Sequence, residues 1–526
     1  MIVQSIMWYQ YHRPRPWVLL LSSSLFIQSH AFAVLPQEES ATTELRARLT
    51  EREQENRVKQ PWTTQFLGHP LSATLQYELA YDWTRPSTRD NAAYRETRVI
   101  IEQHAEPEFF YTLGPQLSFL AQARVVREKA THVASRDFVE RGEIWLYTQP
   151  MLSFPVTFEI GRLDFEDDRR WWWDEDLDAL RVTLATRSFE LMVAFAQERY
   201  PVRSDRDFID PEHEALRRWF VETSWDLQAD QSIQLFALLH DDHSPTPGIG
   251  EIVAKEREDA SDANLNWLGL RATGARAWAP VGSLGYWIDT AWVSGNERAL
   301  GFAPLSGTQS VVNEQVQRHI RGWAFDVGAT WLASIGNDRQ ASPRIGEVER
   351  CREQAPGWRK YWNCRSNFQF DPRFTLGYAR GSGDPSPGDE RDRAFRQTGL
   401  HSNAPGFGGV QSFRGYGVLL DPELSNLAIV TAGAGISLFE ASSLDVVYHH
   451  YRQVQPADTL RGARLNTALN GMDRDLGHGL DLVVVVKEWE RLHFEISASA
   501  LRAGAAFGAQ RGQWTFGAFT KLQFAF

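Results

Sequence analysis

The chain is poor in cysteine, with two in 526 residues, Cys351 and Cys364. A scaffold built on disulfides is therefore excluded, and two lone thiols cannot by themselves hold a structural zinc. They sit in a Pro-, Gly- and Arg-rich segment, where an oxidising envelope would let them close a small loop as a disulfide. Beyond the N-terminal leader there is no run of about eighteen apolar residues, which excludes a helical membrane protein. A net positive charge is also missing: the formal charge is −12, which argues against nucleic acid as a partner. Neither a G-x-S-x-G elbow nor another triad signature is present, so no catalytic residue and no cofactor is assigned.

What the chain does have is alternation, most clearly at its end, Gln513 to Phe526. Trp514, Phe516, Ala518, Thr520, Leu522, Phe524 and Phe526 fall on one face, while Lys521, Gln523 and Ala525 fall on the other. Period two is a strand pattern, and no helix separates those sets. Aromatic rings at both ends of the apolar face suit a strand crossing a bilayer, with one ring group at each interface. The other reading is the last strand of a soluble sandwich. Mean hydropathy is −0.39, low for helices in lipid but compatible with a membrane barrel, whose lumen-facing residues dilute the average. Aromatic residues make up 12%, with 20 tryptophans, which fits interfacial belts.

The N-terminus reads as a secretory signal: Arg13 and Arg15, an apolar run from Trp17 to Ile27, then Ala31-Phe32-Ala33. Cleavage is expected after Ala33, giving a signal peptide over 1–33 and a periplasmic lead-in over 34–66. Residues 67–526 are then expected to form the barrel. Eighteen strand-like runs follow: 71–84, 95–104, 109–127, 138–147, 154–163, 177–186, 188–197, 217–228, 231–241, 264–277, 283–294, 319–334, 370–380, 424–438, 442–453, 478–487, 491–503 and 512–526. An even number is what a closed bacterial barrel needs with both termini on the periplasmic side.

Several runs carry charge at mid-strand. Asp326 lies between Phe325 and Val327, and Asp481 between Leu480 and Leu482. A carboxylate facing hydrocarbon would be very costly, so these must face a wet lumen. Connections differ in length: Thr186–Ser188 and Ala441–Ser443 are tight, whereas 242–263, 335–369 and 381–423 are long. The fold class expected is thus all-β, a single-chain antiparallel outer-membrane β-barrel with long extracellular loops and short periplasmic turns. Monomer is favoured, because closure removes sheet edges.

Two segments stand out from the wall, 161–184 and 395–426. The pieces that stand out are Gly161-Arg162, Leu177-Asp178-Ala179 with Arg181, and Phe395 to Leu400 (FRQTGL). Pro422 to Leu427 (PELSNL), Tyr448 to Gln453 (YHHYRQ) and Gly479 to Leu482 (GLDL) follow in order. Together these pieces resemble the alginate export family of outer-membrane porins. The resemblance implies an 18-stranded barrel whose narrow, arginine-lined, electropositive constriction passes a polyuronate. Planar guanidinium groups pair carboxylates bidentately and never lose their charge, which suits a polymer with one carboxylate per sugar.

On that resemblance Arg162, Arg181, Arg396, Arg414 and Arg452 are the attractive groups, Asp178 and Asp481 their acidic partners, and Lys487 joins them from the parity of Asp481. Arg162 shares the parity of Phe158 and Ile160, so it reaches the lumen only if a bulge re-aims it; an interfacial arginine is the other reading. Arg396 and Arg414 could equally be solvated loop residues. His449 and His450, being adjacent in a strand, point to opposite faces and cannot share one metal ion. Trp171-Trp172-Trp173 is either a sugar-stacking platform or, preferably, an interfacial anchor or a loop packed on the rim. The eight carboxylates from Asp164 to Asp178 lack EF-hand spacing, and no metal is assigned.

The chain departs from the family pattern at Gly406, at Gly417-Val418 and over 502–507, and the first two positions bear on the cargo. Expected partners are an anionic polysaccharide, outer-membrane lipid and periplasmic polysaccharide-secretion proteins. A diffusion porin for small anions or oligosaccharides is the alternative function.

Overall fold

The computed structural model describes residues 61–526 apart from 86–96, 149–154, 229–230, 279–281, 334–371, 407–412, 439–441, 466–467 and positions 115, 132, 388 and 490. The signal peptide, most of the lead-in and both cysteines with their expected disulfide lie outside the described residues. In chain order the strands are β1 (Trp62–Phe66), β2 (His69–Arg85), β3 (Arg98–Gly114), β4 (Leu117–Ala130), β5 (Arg136–Thr148), β6 (Val156–Glu166) and β7 (Asp174–Ala185). Next come β8 (Phe189–Ala196), β9 (Leu216–Gln228), β10 (Gln231–Asp242), β11 (Ile252–Ala254), β12 (Ser261–Trp278), β13 (Gly282–Pro304) and β14 (Gln309–Ala333). The last are β15 (Pro372–Gly381), β16 (Arg391–Asp392), β17 (Leu427–Leu438), β18 (Ser442–Gln453), β19 (Asp475–Trp489), β20 (Leu492–Ala503) and β21 (Trp514–Ala525).

Three of these are accessory. β1 folds back on β2, β11 lies along the start of β14, and β16 runs parallel to β14 at His319-Ile320. The others form an antiparallel wall in which each strand pairs its neighbours in sequence, and β2 pairs β21 from Gln76↔Ala525 to Arg85↔Phe516. That pairing closes an 18-stranded barrel, so among the described residues the wall itself has no open edge.

Alternation sorts the wall. Tyr77, Tyr81, Leu180, Val193, Val221, Leu268, Leu376, Val446, Leu480 and Leu482 are exposed on the outer face. Glu78, Asp82, Glu106, Glu108, Arg124, Asp289, Asp326, Asp445, Asp481 and Lys521 are buried on the inner one. At the closing seam Lys521 Nζ meets Glu78 at 3.4 Å. Glycine makes room for one long-reach pair: Arg373, Gly435 and Asp445 stand side by side on three strands, and Arg373 Nη2 reaches Asp445 at 2.8 Å. A Cβ on Gly435 would lie 1.8 Å from the Asp445 carboxylate.

The strands differ from the sequence expectation in two places. The turn expected over 105–108 does not exist; β3 runs through Glu106-Pro107-Glu108 to Gly114, and β4 returns from Leu117. Pro107 still takes its place opposite Leu75, while toward β4 the ladder skips Glu106 and Pro107 between Ala105↔Val125 and Glu108↔Gln122, so the missing N–H breaks no paired position. β13 and β14 also run far past the expected 283–294 and 319–334, each more than twice the length that a bilayer needs. Beyond the hydrocarbon both faces can be polar, so alternation fades although the ladder continues.

Strand direction fixes the two ends. The tight Thr186–Ser188 turn marks one end; 197–215, 243–260 and 382–426 leave from the other. The long 334–371 connection joins β14 to β15 at the short-turn end, not among the long loops where its length had placed it.

Outward burial of charge is the sharpest check on the assignment of faces. Leu482→Arg, on the lipid face near the middle of β19, should cost about 2–4 kcal/mol in urea-driven unfolding from lipid vesicles. A loss below about 0.5 kcal/mol would contradict the lipid-facing assignment of this position.

Candidate pore interior

At Gly161 the wall pattern changes. Gly161 has φ 137, a conformation that side-chain-bearing residues avoid, and a Cβ there would lie 2.1 Å from the Ile144 carbonyl oxygen. Below it Phe158 and Ile160 face outward; beyond it Arg162, Leu163, Phe165 and Glu166 are all buried. A hairpin buried on both faces has left the lipid-facing wall. β5 keeps β6 only up to Ile144↔Arg162, and above that point β5 instead hydrogen-bonds residues 202–204 of the β8–β9 connection.

The hairpin tip is self-braced and docks across the lumen. Asp167 accepts hydrogen bonds from the backbone N–H of Arg169 (2.9 Å), Trp172 (2.7 Å) and Trp173 (3.0 Å). Trp172 stacks on Phe236 of β10, 5.0 Å between centroids and 13° from parallel. It lies over Gly269 of β12, where a Cβ would come within 1.9 Å of the indole. Trp173 meets Phe220 and Phe236 edge-on, and Phe165 stacks on Phe220 at 4.6 Å. The three tryptophans are at most 3% exposed, so they are neither interfacial anchors nor an open sugar platform; they pack against the inner wall.

Charge fixes the same tip. Arg169 bridges Asp289 of β13 (2.8 Å) and Asp326 of β14 (2.9 Å), its guanidinium 4.5 Å from the Trp287 ring. Arg271 of β12 bridges Asp167 and Asp289, both at 2.5 Å. Trp287 and Tyr416 also donate to Asp326, at 2.9 and 3.1 Å. Four carboxylates of the acidic run thus pair arginines: Glu166 and Asp174 with Arg170, Asp167 with Arg271, and Asp178 with Arg141. Two guanidinium groups among three carboxylates leave the cluster around Arg169 and Arg271 with a formal excess of one negative charge, so it is not electropositive.

The second insert, 395–426, holds the first in place. Arg396 grips Glu297 of β13 bidentately (2.7 and 2.9 Å) and Asp392 at 2.6 Å, while its carbonyl accepts from Trp267 Nε1. Gln397 exchanges hydrogen bonds with Asn403 and accepts from Leu424 N–H. Thr398 donates to the Trp172 carbonyl, Leu400 accepts from Asp174 N–H at 2.6 Å, and Ser402 and Asn403 N–H donate to the Arg170 carbonyl. Gly322 leaves space for the Phe395 backbone, and Leu419 reaches the inner face of β21 at Gly517. The segment therefore spans the lumen from β13–β14 to β21.

The sequence-selected residues are scattered through this interior. Arg162 and Asp178 do come together: Arg162 pairs Glu198 at 3.0 Å and lies 3.9 Å from Asp178, which Arg141 holds at 3.0 Å. Arg181 pairs Glu159 at 2.5 Å below the hairpin, with Phe165 beneath its guanidinium. Arg414 pairs Asp421, and Asp481 lies 3.5 Å from His449 on the inner wall. Lys487 shares the inward parity of Val483 and Val485 near the short-turn end.

Arg452 is a correction. It is exposed on the outer face with Val446 and Tyr448, because Tyr451 and His449 take the inward positions of β18. His449 is fully buried and His450 half-buried on the opposite face, as strand alternation requires. Arg169, Arg271 and Asp289 were missed, although charged residues at mid-strand are the signal that singles out Asp326 and Asp481.

The family model for alginate export matches residues 65–516. The chain belongs to the alginate export family. It is 25% identical over 358 residues to the alginate production protein AlgE of Pseudomonas aeruginosa, covering 66% of this chain and 64% of that protein. Against AlgE of Pseudomonas syringae pv. tomato the identity is 22% over 360 residues, covering 65% and 63%. The matched stretch thus spans just under two thirds of these relatives' length. Among solved structures, Pseudomonas aeruginosa OccK5 (OpdH) agrees with a TM-score of 0.50 at 8% identity, covering 86% of this chain and 97% of that one, a likeness of fold. This member of the family is an outer-membrane barrel, and its FRQTGL and PELSNL pieces are the latch of its interior.

Two outcomes check this geometry. Trp172→Ala removes the stack on Phe236, a truncation of the kind that costs about 3–5 kcal/mol in a packed core. Residues 166–174 should then exchange backbone hydrogens at least about tenfold faster. The wall should be unaffected, and unchanged exchange at the tip would contradict the docking.

At the rim, Asp259 accepts from Ser261 N–H at 3.0 Å, and burial, with Asp242, Glu212 and Asp262 near, pushes its carboxyl up to about 7. The folded rim therefore holds a proton that an unfolded carboxyl releases near pH 4, and the rim's stability falls as pH rises from about 4 to 7. Proteolysis within 243–260 should quicken across that window, and Asp259→Asn should flatten the dependence; a flat wild-type profile would contradict it.

Proposed function

We propose that this barrel is the outer-membrane conduit through which an anionic exopolysaccharide, alginate or a related polyuronate, leaves the cell. The observation that carries the reading is the family match across the barrel, taken together with an interior in which arginines are held by carboxylates. A uronate carboxylate has the charge and shape of the aspartate or glutamate that each guanidinium now pairs. Passage then becomes partner exchange: one carboxylate replaces another, with no strong single site to trap the polymer.

In this reading Arg162, Arg181, Arg396 and Arg414 are the exchanging cations, and Asp178 and Asp481 keep neighbouring groups in register. The chain works as a channel and not as an enzyme, a reading supported by the family and the fold. A monomeric barrel fed by periplasmic secretion proteins completes the proposal. A diffusion porin for small anions is the competing reading.

Arg181→Glu in planar bilayers should lower or reverse the anion preference measured by reversal potential, with heat-modifiable mobility unchanged. In the same bilayers, oligouronates should block the wild type at concentrations that fall as their length rises. Selectivity indifferent to Arg181 would remove that residue from the pathway, and block independent of length would favour the small-anion porin.

A further inference from the structure

The outer face carries arginines of a different kind. Inside, Arg162, Arg169, Arg181, Arg271, Arg373 and Arg396 each have a carboxylate partner. Outside, at the long-loop end of the wall, Arg380, Arg452 and Arg502 have no carboxylate partner among the described residues. Arg380 lies 5.8 Å from the Trp323 ring, and its Nε has no hydrogen-bond partner.

Register gathers these groups with two histidines. Arg380 and Arg452 flank Ala428 on β17, which puts their backbones about 10 Å apart, two strand spacings. His450, two residues before Arg452 on the same face, stands beside His478, with rings stacked 4.8 Å apart; His478 in turn stands beside Arg502. Tyr448 Oη lies 2.7 Å from His478 Nδ1, and Trp514 is opposite Arg502. Asp475, 3.5 Å from His450, is the acidic group paired at this cluster.

Immediately toward the short-turn end begins the lipid face, with Val430, Leu480 and Phe516 exposed. The cations thus stand in a row where hydrocarbon gives way to headgroups, above aromatic side chains of an interfacial belt.

We infer that Arg380, Arg452 and Arg502 form a binding site for the phosphorylated headgroup of an outer-leaflet glycolipid, with Tyr448 and Trp514 against its sugar and upper acyl region. Charge complementarity selects a multiply anionic headgroup, because guanidinium groups at strand spacing match several phosphate oxygens at once. Continuity with the apolar band selects a lipid over a soluble anion, because the acyl chains lie on that band while the phosphate meets the arginines. The site is separate from the polysaccharide path, since it lies on the opposite face of the same strands.

The test is native mass spectrometry of the full barrel in detergent, titrated with diphosphoryl lipid A and with its dephosphorylated form. Wild type should bind the diphosphoryl lipid at least about tenfold more tightly, a difference of about 1.4 kcal/mol or more. The double variant Arg452→Ser, Arg502→Ser should lose that preference while keeping heat-modifiable mobility. Arg187→Ser, at the short-turn end, should keep the preference. Inorganic phosphate at equal phosphate concentration should not displace the lipid. An unchanged preference in the double variant, equal binding of the two lipid forms, or displacement by inorganic phosphate would each overturn the assignment.

Discussion

An ionised side chain cannot face hydrocarbon without a large cost, and an unpaired one cannot be buried in protein cheaply either. The barrel obeys both constraints together. Alternation sends Glu78, Asp289, Asp326 and Asp445 inward, and cations meet them there, as Lys521 does at the seam and Arg373 does across Gly435. The interior is consequently a lattice of ion pairs, not a uniformly positive tube.

That lattice determines how the inserts sit. A hairpin entering the lumen must find partners for Arg169 and Arg170 and for its acidic residues. It finds them in Asp289, Asp326 and Arg271 on the far wall, and in Glu166 and Asp174 within itself. Glycines set where it can go: Gly161 lets the strand leave the wall, and Gly269 gives Trp172 its seat. The FRQTGL segment then uses backbone and side-chain hydrogen bonds to fix the tip, with Arg396 tied to Glu297 as its own anchor. Motifs far apart in sequence thereby become one packed unit.

Much of the wall was legible in the sequence, because period two needs only neighbours to be read. The face of Lys521 and Gln523, the inward Asp481 and the opposed histidines at 449 and 450 all follow from it. What alternation cannot see is a strand that stays regular without a lipid face. That is why β13 and β14 looked short; Glu106-Pro107-Glu108 resembled a turn for a different reason, a proline flanked by two inward carboxylates within a wall strand.

The interior was less legible. Arg162 carries outward parity until Gly161 changes the geometry, and Arg452 matched a family motif while its own strand position pointed to lipid. The tryptophan run looked interfacial because composition says nothing about which side of the wall a hairpin folds toward.

The central claim is that this charged interior passes a polyuronate in preference to an uncharged chain of the same bulk. Efflux from proteoliposomes loaded with labelled oligouronates, set beside neutral glucans of matched length, measures it most directly. The account predicts protein-dependent release of the uronates that exceeds that of the glucans and is suppressed by high salt. Equal release of the two polymers, or none of either, would contradict it.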